Sequence, residues 1–403
     1  MTAGPPTGTA SEVFRVFLKL GLTSFGGPIA HLGYFRDEFV LRRRWLGEAQ
    51  FAQLLAVCQF LPGPASSQMG FAIGLFRAGW LGALAAFVAF TLPSALLMFG
   101  FALLAPQLDR GVGAAMVHGL KLVAIVVVAH GLFGMARRLA PDASRAAIAV
   151  GAAALMVLTG NAWMQLIAIA VGGALGLWFC RQADAPTVAM FPTPHGRRAA
   201  VVFLVLFLLG LSAALLMPST TMPTPASLAA AFYQAGALVF GGGHVVLPLL
   251  QHTVVDSGWV KPDAFLAGYG AAQTMPGPMF SLAAFLGAEV PLGLPMVVGA
   301  TVALLAVFLP GFLLLLAVLP LWSQLARHAW AARAMAGINA AVVGLLAAAF
   351  YDPVWITGIR DVADVAIALV GVLLLASARV SAIWVVAWCV LAALAASGLG
   401  ITR

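Results

Sequence analysis

Apolar runs joined by short polar connections make up nearly the whole chain, and several of the runs are cut internally by glycine and proline. Plain runs lie near residues 78–105, 112–136, 144–160, 162–180 and 199–217, and again near 293–320, 329–350, 361–377 and 382–398. Their length and apolarity predict helices at home in a bilayer. Four further runs, 11–35, 48–77, 225–250 and 262–289, are predicted to be broken helices. The breaks fall at Phe25-Gly26-Gly27-Pro28, Pro62-Gly63-Pro64, Phe240-Gly241-Gly242 and Pro276-Gly277-Pro278.

Two prolines flanking a glycine cannot continue a helix, because each proline lacks an N–H donor and clashes with the preceding turn. The helix from about Glu48 is therefore expected to end near Phe60, and a second to begin near Ala65 with Pro64 in its first turn. The free N–H groups of that second helix, beside the hydroxyls of Ser66 and Ser67, present a positive dipole end of the kind that binds anions.

The breaks are also copies of one another. Gln59-Phe60-Leu61-Pro62-Gly63-Pro64 returns 214 residues later as Gln273-Thr274-Met275-Pro276-Gly277-Pro278, with Ser281 matching Ser67. Trp45 matches Trp259, Leu92-Pro93 matches Leu309-Pro310, and Gly119-Leu120-Lys121 matches Gly337-Ile338-Asn339. The order is kept while the offset drifts from 214 to 218. This is an internal duplication, with one repeat expected over residues 1–198 and the other over 199–403. The run 199–217 is an extra leading helix with no counterpart in the first half.

Composition agrees with a membrane protein. Of the 403 residues, 63% are hydrophobic and 8% charged, against about 25% charged in a soluble domain. The fold class expected is an all-α polytopic membrane protein with broken or re-entrant helices. The net charge of +8 resides in short loops, which fits topology-setting charge and not nucleic-acid binding. Cys58, Cys180 and Cys389 lie within apolar runs without metal-ligand spacing. No cleavable signal peptide is expected at the start.

Lys and Arg mark cytoplasmic loops. If the broken runs are hairpins that enter and leave on one side, Arg36, Arg42–Arg44, Arg77, Arg137, Arg138, Arg145, the linker 181–198, Arg327 and Arg333 all fall inside. If they span, the Arg42–Arg44 loop falls outside. Either way an odd number of spans separates equivalent points, which gives an inverted-topology repeat, an architecture that recurs in secondary transporters.

The candidate binding residues gather at the breaks: Gly26, Gly27 and His31; Gln59, Pro62, Gly63, Pro64, Ser66, Ser67 and Gln68; Gly241, Gly242 and His244; Gln273, Pro276, Gly277, Pro278 and Ser281. Ser and Gln can donate to an oxyanion or merely join helices. His31 and His244 can carry a proton or serve as structural donors. Lys121, inside the run Met116–His130, is a cation in an apolar setting, with Asn339 at the equivalent place. All carboxylates lie at segment ends or in loops. A site with donors and a cation but no buried carboxylate suits an anion. No phosphate-cradling ATPase motif, no metal cluster, no cofactor motif and no catalytic triad is visible, so an enzyme is not expected.

These motifs, in their order and spacing over nearly the whole chain, resemble the chromate ion transporter family in its two-domain bacterial form. The resemblance implies efflux of chromate across the bacterial inner membrane, conferring chromate resistance, driven by protons and open to competition by sulfate. The second half departs from the first at Phe280-Ser281-Leu282 in place of Ser66-Ser67-Gln68, which argues against a symmetric site. A sulfate or other tetrahedral oxyanion permease, a passive anion channel and a membrane-embedded reductase are the rival readings. Self-association as a homodimer is left open.

Overall fold

The computed structural model describes residues 8–25, 27–108, 111–159, 162–180, 191, 193–217, 222–240, 246–322, 328–377 and 382–398. Among the described residues all regular structure is helical.

The first helix, α1 (Ala10–Thr23), starts at Thr9, whose side chain accepts from the Glu12 N–H. It stops at Ser24, and α2 (Gly27–Arg36) follows, ending in a π-helical turn at Asp37–Arg42. That turn lies back where α1 began, because Arg43 reaches Glu12 at 4.0 Å. α3 (Glu48–Phe60) enters again, and α4 (Ala65–Leu104) begins after Pro64. The first limb of α4, residues 65–77, returns to the same place. Arg77 pairs with Glu12 at 3.1 Å, and the Gly8 N–H donates to the Arg77 carbonyl at 3.1 Å. The guanidiniums of Arg43 and Arg77 both lie over Trp45. Burial pushes the Glu38 carboxyl up, but hydrogen bonds from Arg43 and Arg42 outweigh it and hold the group below the ordinary carboxylate range.

Both broken segments are thus re-entrant hairpins opening on one face. Limbs of 14 and 13 residues reach only about 20 Å at 1.5 Å per residue, short of a hydrocarbon core about 30 Å thick. At Ala78 and Gly79 the backbone leaves helical geometry, and the second limb of α4, residues 80–104, crosses to the second face. α5 (Val112–Leu139) crosses back, α6 (Ala143–Thr159) and α7 (Ala162–Phe179) form a hairpin, and α8 (Arg197–Leu216) is the odd span.

The second half repeats the plan from the opposite face. α9 (Pro225–Leu238) and α10 (Val246–Leu250) end in a π-helical turn at Gln251–Val255, the counterpart of Asp37–Arg42. α11 (Pro262–Thr274), α12 (Leu282–Glu289) and α13 (Met296–Val318) match α3 and the two limbs of α4. α14 (Ala329–Ala349), α15 (Val362–Ala376) and α16 (Ala382–Gly398) match α5, α6 and α7. The end of α13 returns to the first face, where the Leu316 carbonyl meets His195 Nε2 at 2.8 Å and the His195 ring lies against Trp80. The start of α11 lies with α5 at the second face, joined by Lys121 and Asp263.

The two repeats exchange helices. α6 and α7 pack on α14, whereas α15 and α16 pack on α5. Gly337 of α14 meets Gly172 and Gly176, and its counterpart Gly119 of α5 meets the backbone of Val390, the residue equivalent to Gly172. Small residues let these helices touch at backbone distance where apolar burial gives no drive for association. Leu81, Leu84, Leu96, Val201, Leu209 and Leu373 point outward. Among the described residues, five helical stretches are long and apolar enough to cross a membrane: 65–104, 112–139, 197–216, 296–321 and 329–358. The chain is an all-α, multi-pass membrane protein with an inverted repeat and re-entrant helices.

Candidate functional site

The four breaks come together. The Gly63 N–H donates to the Val239 carbonyl at 2.7 Å, and the Gly277 N–H donates to the Ser24 carbonyl at 3.0 Å. Gly63 and Gly277 are repeat equivalents, and so are Ser24 and Val239. Each proline-flanked glycine therefore bonds the end of the first hairpin helix of the other half. Gly63 has φ +123° and Gly277 φ +97°, the region open mainly to glycine. A Cβ on Gly63 would stand 3.0 Å from Gly311 Cα, and one on Gly277 would stand 2.9 Å from Ser94 Oγ. These neighbours flank Pro310 and Pro93, the prolines inside α13 and α4.

The first-half break is polar. Ser24, His31, Ser66, Ser67 and Gln68 are all buried around it. His31 Nε2 lies 3.2 Å from the Ser24 carbonyl and Nδ1 lies 3.5 Å from Ser66 Oγ. At the second-half break the matching residues are Val239, Val246, Phe280, Ser281 and Leu282, all apolar except Ser281. The first-turn N–H groups of α4, at Ala65, Ser66 and Ser67, have no acceptor within the helix. The hydroxyls of Ser24 and Ser67 and the carbonyl oxygen of Gln68 are buried without a hydrogen-bond partner among the described residues. Such groups are rare in folded proteins and call for a ligand or water.

The sequence-predicted residues divide accordingly. Pro62, Gly63, Pro64, Ser66, Ser67, Gln68, Pro276, Gly277, Pro278 and Ser281 are buried at the breaks. Gln59 is exposed at the end of α3 and Gln273 half-buried at the end of α11, where its amide donates to Met279 Sδ at 2.8 Å. Gly27 opens α2. Gly26, Gly241, Gly242 and His244 lie outside the described residues, as do Arg181 and Arg327. Pro64 is the residue before the helix and not in its first turn. Gln68 spends both amide hydrogens on carbonyls, Pro62 at 3.0 Å and Gly311 at 2.9 Å, so its free atom is an acceptor.

Lys121 and Asn339 lie away from the breaks. Lys121 Nζ pairs with Asp263 Oδ1 at 2.5 Å. Asp263 opens α11, and the helix end at Thr274 lies about 17 Å further along at 1.5 Å per residue. The lysine is thus no lone cation: a partly exposed carboxylate from the other half neutralises it. Asn339 Oδ1 is buried without a partner. The expectation that no carboxylate is buried also fails. Asp364 is fully buried, and its Oδ1 meets His118 Nε2 at 2.7 Å. Asp364 sits in the first turn of α15, a segment end by sequence, and only the packing of α15 on α5 hides it. Neither His118 nor Ser24 stood out in the sequence. Ser24 was marked only by its place before Phe25-Gly26-Gly27, the same place that Val239 holds before Phe240-Gly241-Gly242.

Two inverted copies, with discontinuous helices that meet midway and present half-helix ends to a buried polar centre, define the architecture of a secondary transporter. The chain belongs to the chromate transporter family, whose model matches residues 11–177 and 226–395. It is 30% identical over 378 residues to a probable chromate transport protein of Synechococcus elongatus, covering 92% of this chain and 90% of that one. It is 28% identical to the chromate transport protein of Pseudomonas aeruginosa, over 89% of this chain and 84% of the other. The chromate transport protein of Cupriavidus metallidurans is also 28% identical, over 92% and 88%. No solved structure matches the chain.

Proposed function

We propose that this protein moves chromate out of the cytoplasm across a bacterial inner membrane in exchange for protons, and so confers chromate resistance. The observation that carries this reading is the set of orphan hydroxyls, Ser24 and Ser67, buried at the open N-terminus of the half-helix 65–77. These hydroxyls and the free N–H groups of the half-helix are donors, a set that suits a tetrahedral dianion. The Gln68 carbonyl oxygen is an acceptor that suits a proton carried on the anion. The two repeats take the roles of half-sites, with the polar side on residues 1–198 and the apolar side on 199–403.

Orientation follows from charge. The face where Glu12 meets Arg43 and Arg77 carries most of the loop arginines and is taken as cytoplasmic. The first-half hairpins then open inward and the second-half hairpins open outward, so the anion passes between two breaks that face opposite sides.

Uptake of radiolabelled chromate into everted membrane vesicles tests the reading. An acid-inside pH gradient is expected to drive accumulation, and excess sulfate to compete weakly. Equilibration without accumulation would point to a channel. Stronger transport of sulfate than of chromate would make the protein a sulfate permease.

A further inference from the structure

The buried pair His118–Asp364 lies outside the central site. His118 and Lys121 stand three residues apart on α5, so they share one face of that helix. Each reaches an aspartate in the first turn of a second-half helix: Asp364 in α15 and Asp263 in α11. His118 and Asp364 are 5% and 0% exposed. Asp364 is held on its other side, where Oδ2 accepts from the Arg360 N–H at 2.9 Å, and its own N–H donates to Asp361 Oδ1 at 3.0 Å. The second ring nitrogen of His118, Nδ1, is buried with no hydrogen-bond partner among the described residues.

Charge completes the case. On the elements packed against α5 at this end, the charged groups are Asp263, Asp361, Asp364 and Arg360, with Lys121 on α5 itself; Asp352 is solvent-exposed, and Cys389 of α16 is buried. Arg360 and Asp263 are exposed to solvent as well, so Asp364, buried and rigidly oriented, is the counter-ion for an imidazolium at His118. Buried ionisable pairs within membrane helices commonly serve as proton carriers.

We propose that His118 is the proton carrier of this transporter, with Asp364 its counter-ion. This rests on the proton-coupled reading above. In one step Nδ1 takes a proton from the second face and the ring becomes imidazolium; in the other it returns that proton toward the first face and becomes neutral. No other bond changes. Lys121–Asp263, one helical turn away, ties the same stretch of α5 to α11, whose far end is the Met275–Pro278 break. The proton site is thereby joined to the anion site through α11 and the hydrogen bond from Gly277 to the Ser24 carbonyl.

The test compares two modes of transport in everted vesicles holding wild type, His118→Gln or Asp364→Asn. One mode is chromate accumulation under an acid-inside gradient; the other is exchange of labelled for unlabelled chromate with no gradient. Both variants are expected to lose gradient-driven accumulation by tenfold or more while exchange stays within twofold of wild type. Normal accumulation in His118→Gln overturns the proposal. Loss of both modes in both variants also overturns it, because that is the behaviour of a structural pair. If wild type itself does not respond to the gradient but exchanges chromate, the proton-coupled reading fails and the carrier assignment falls with it.

Discussion

The backbone N–H of Gly63 donates to the carbonyl of Val239 at 2.7 Å, across the boundary between the two repeats. Its mirror is the bond from Gly277 to Ser24. A break in a membrane helix leaves N–H and C=O groups unsatisfied, and no water is present in hydrocarbon to meet them. Here each half supplies what the break in the other half lacks. The two hairpin pairs are thereby tied to each other at the breaks.

Gly63→Ala and Gly277→Ala test this exchange. Left-handed backbone costs an ordinary residue about 1–2 kcal/mol, and a Cβ adds contact with Gln68 and Gly311 at Gly63, or with Ser94 and Phe90 at Gly277. The two are expected to cost about the same, since each Cβ meets a movable side-chain end at 2.9 Å and a backbone atom at 3.0 Å or 3.1 Å. Thermal unfolding in detergent should show similarly lowered midpoints for Gly63→Ala and Gly277→Ala, both below wild type. Equal stability of all three contradicts the exchange.

Sidedness is tested by cysteines at Arg43 and Asp256, in a background where Cys58, Cys180 and Cys389 are replaced. The two positions should label from opposite sides of the membrane with an impermeant maleimide, Arg43 from the cytoplasm. Periplasmic labelling of both contradicts the hairpin orientation.

The Lys121–Asp263 pair is unequal, with side chains 3% and 65% exposed. Removing Asp263 strands a buried ammonium, whereas removing Lys121 leaves a carboxylate that water can reach. Asp263→Asn should therefore destabilise more than Lys121→Met, and the double variant should recover part of the Asp263→Asn loss. Additive effects in a double-mutant cycle by thermal unfolding would show that the pair is uncoupled.

Much of this architecture was legible in the residues. The helix ends at Phe60 and Ala65 followed from the chemistry of Pro62-Gly63-Pro64, and the repeat from motif order. Whether the broken runs spanned or re-entered depended on tertiary contacts, namely Glu12 with Arg43 and Arg77, that no local pattern encodes. The same holds for Lys121, which reads as a lone charge because Asp263 lies 142 residues away. Asp364 reads as a loop-end carboxylate because the exchange of α15 onto α5 is invisible in sequence. Periodicity reports which helices exist, and only packing reports which of their polar ends meet.

The Pro62-Gly63 break is expected to matter more than any side chain beside it. Replacing both residues by alanine invites a continuous helix and consumes the free N–H groups, so transport should be lost while protein level in the membrane is kept. Transport at unchanged half-saturation in that variant contradicts a role for the half-helix end.

The most direct measurement is equilibrium binding of radiolabelled chromate to purified protein, wild type against Ser66→Ala/Ser67→Ala. A hydrogen bond to a charged group is worth about 1.5–3 kcal/mol, and about 1.4 kcal/mol is tenfold in affinity. The double variant is expected to bind at least tenfold more weakly with unchanged thermal stability. Equal affinity of the two proteins for chromate would contradict an anion site at the first-half break.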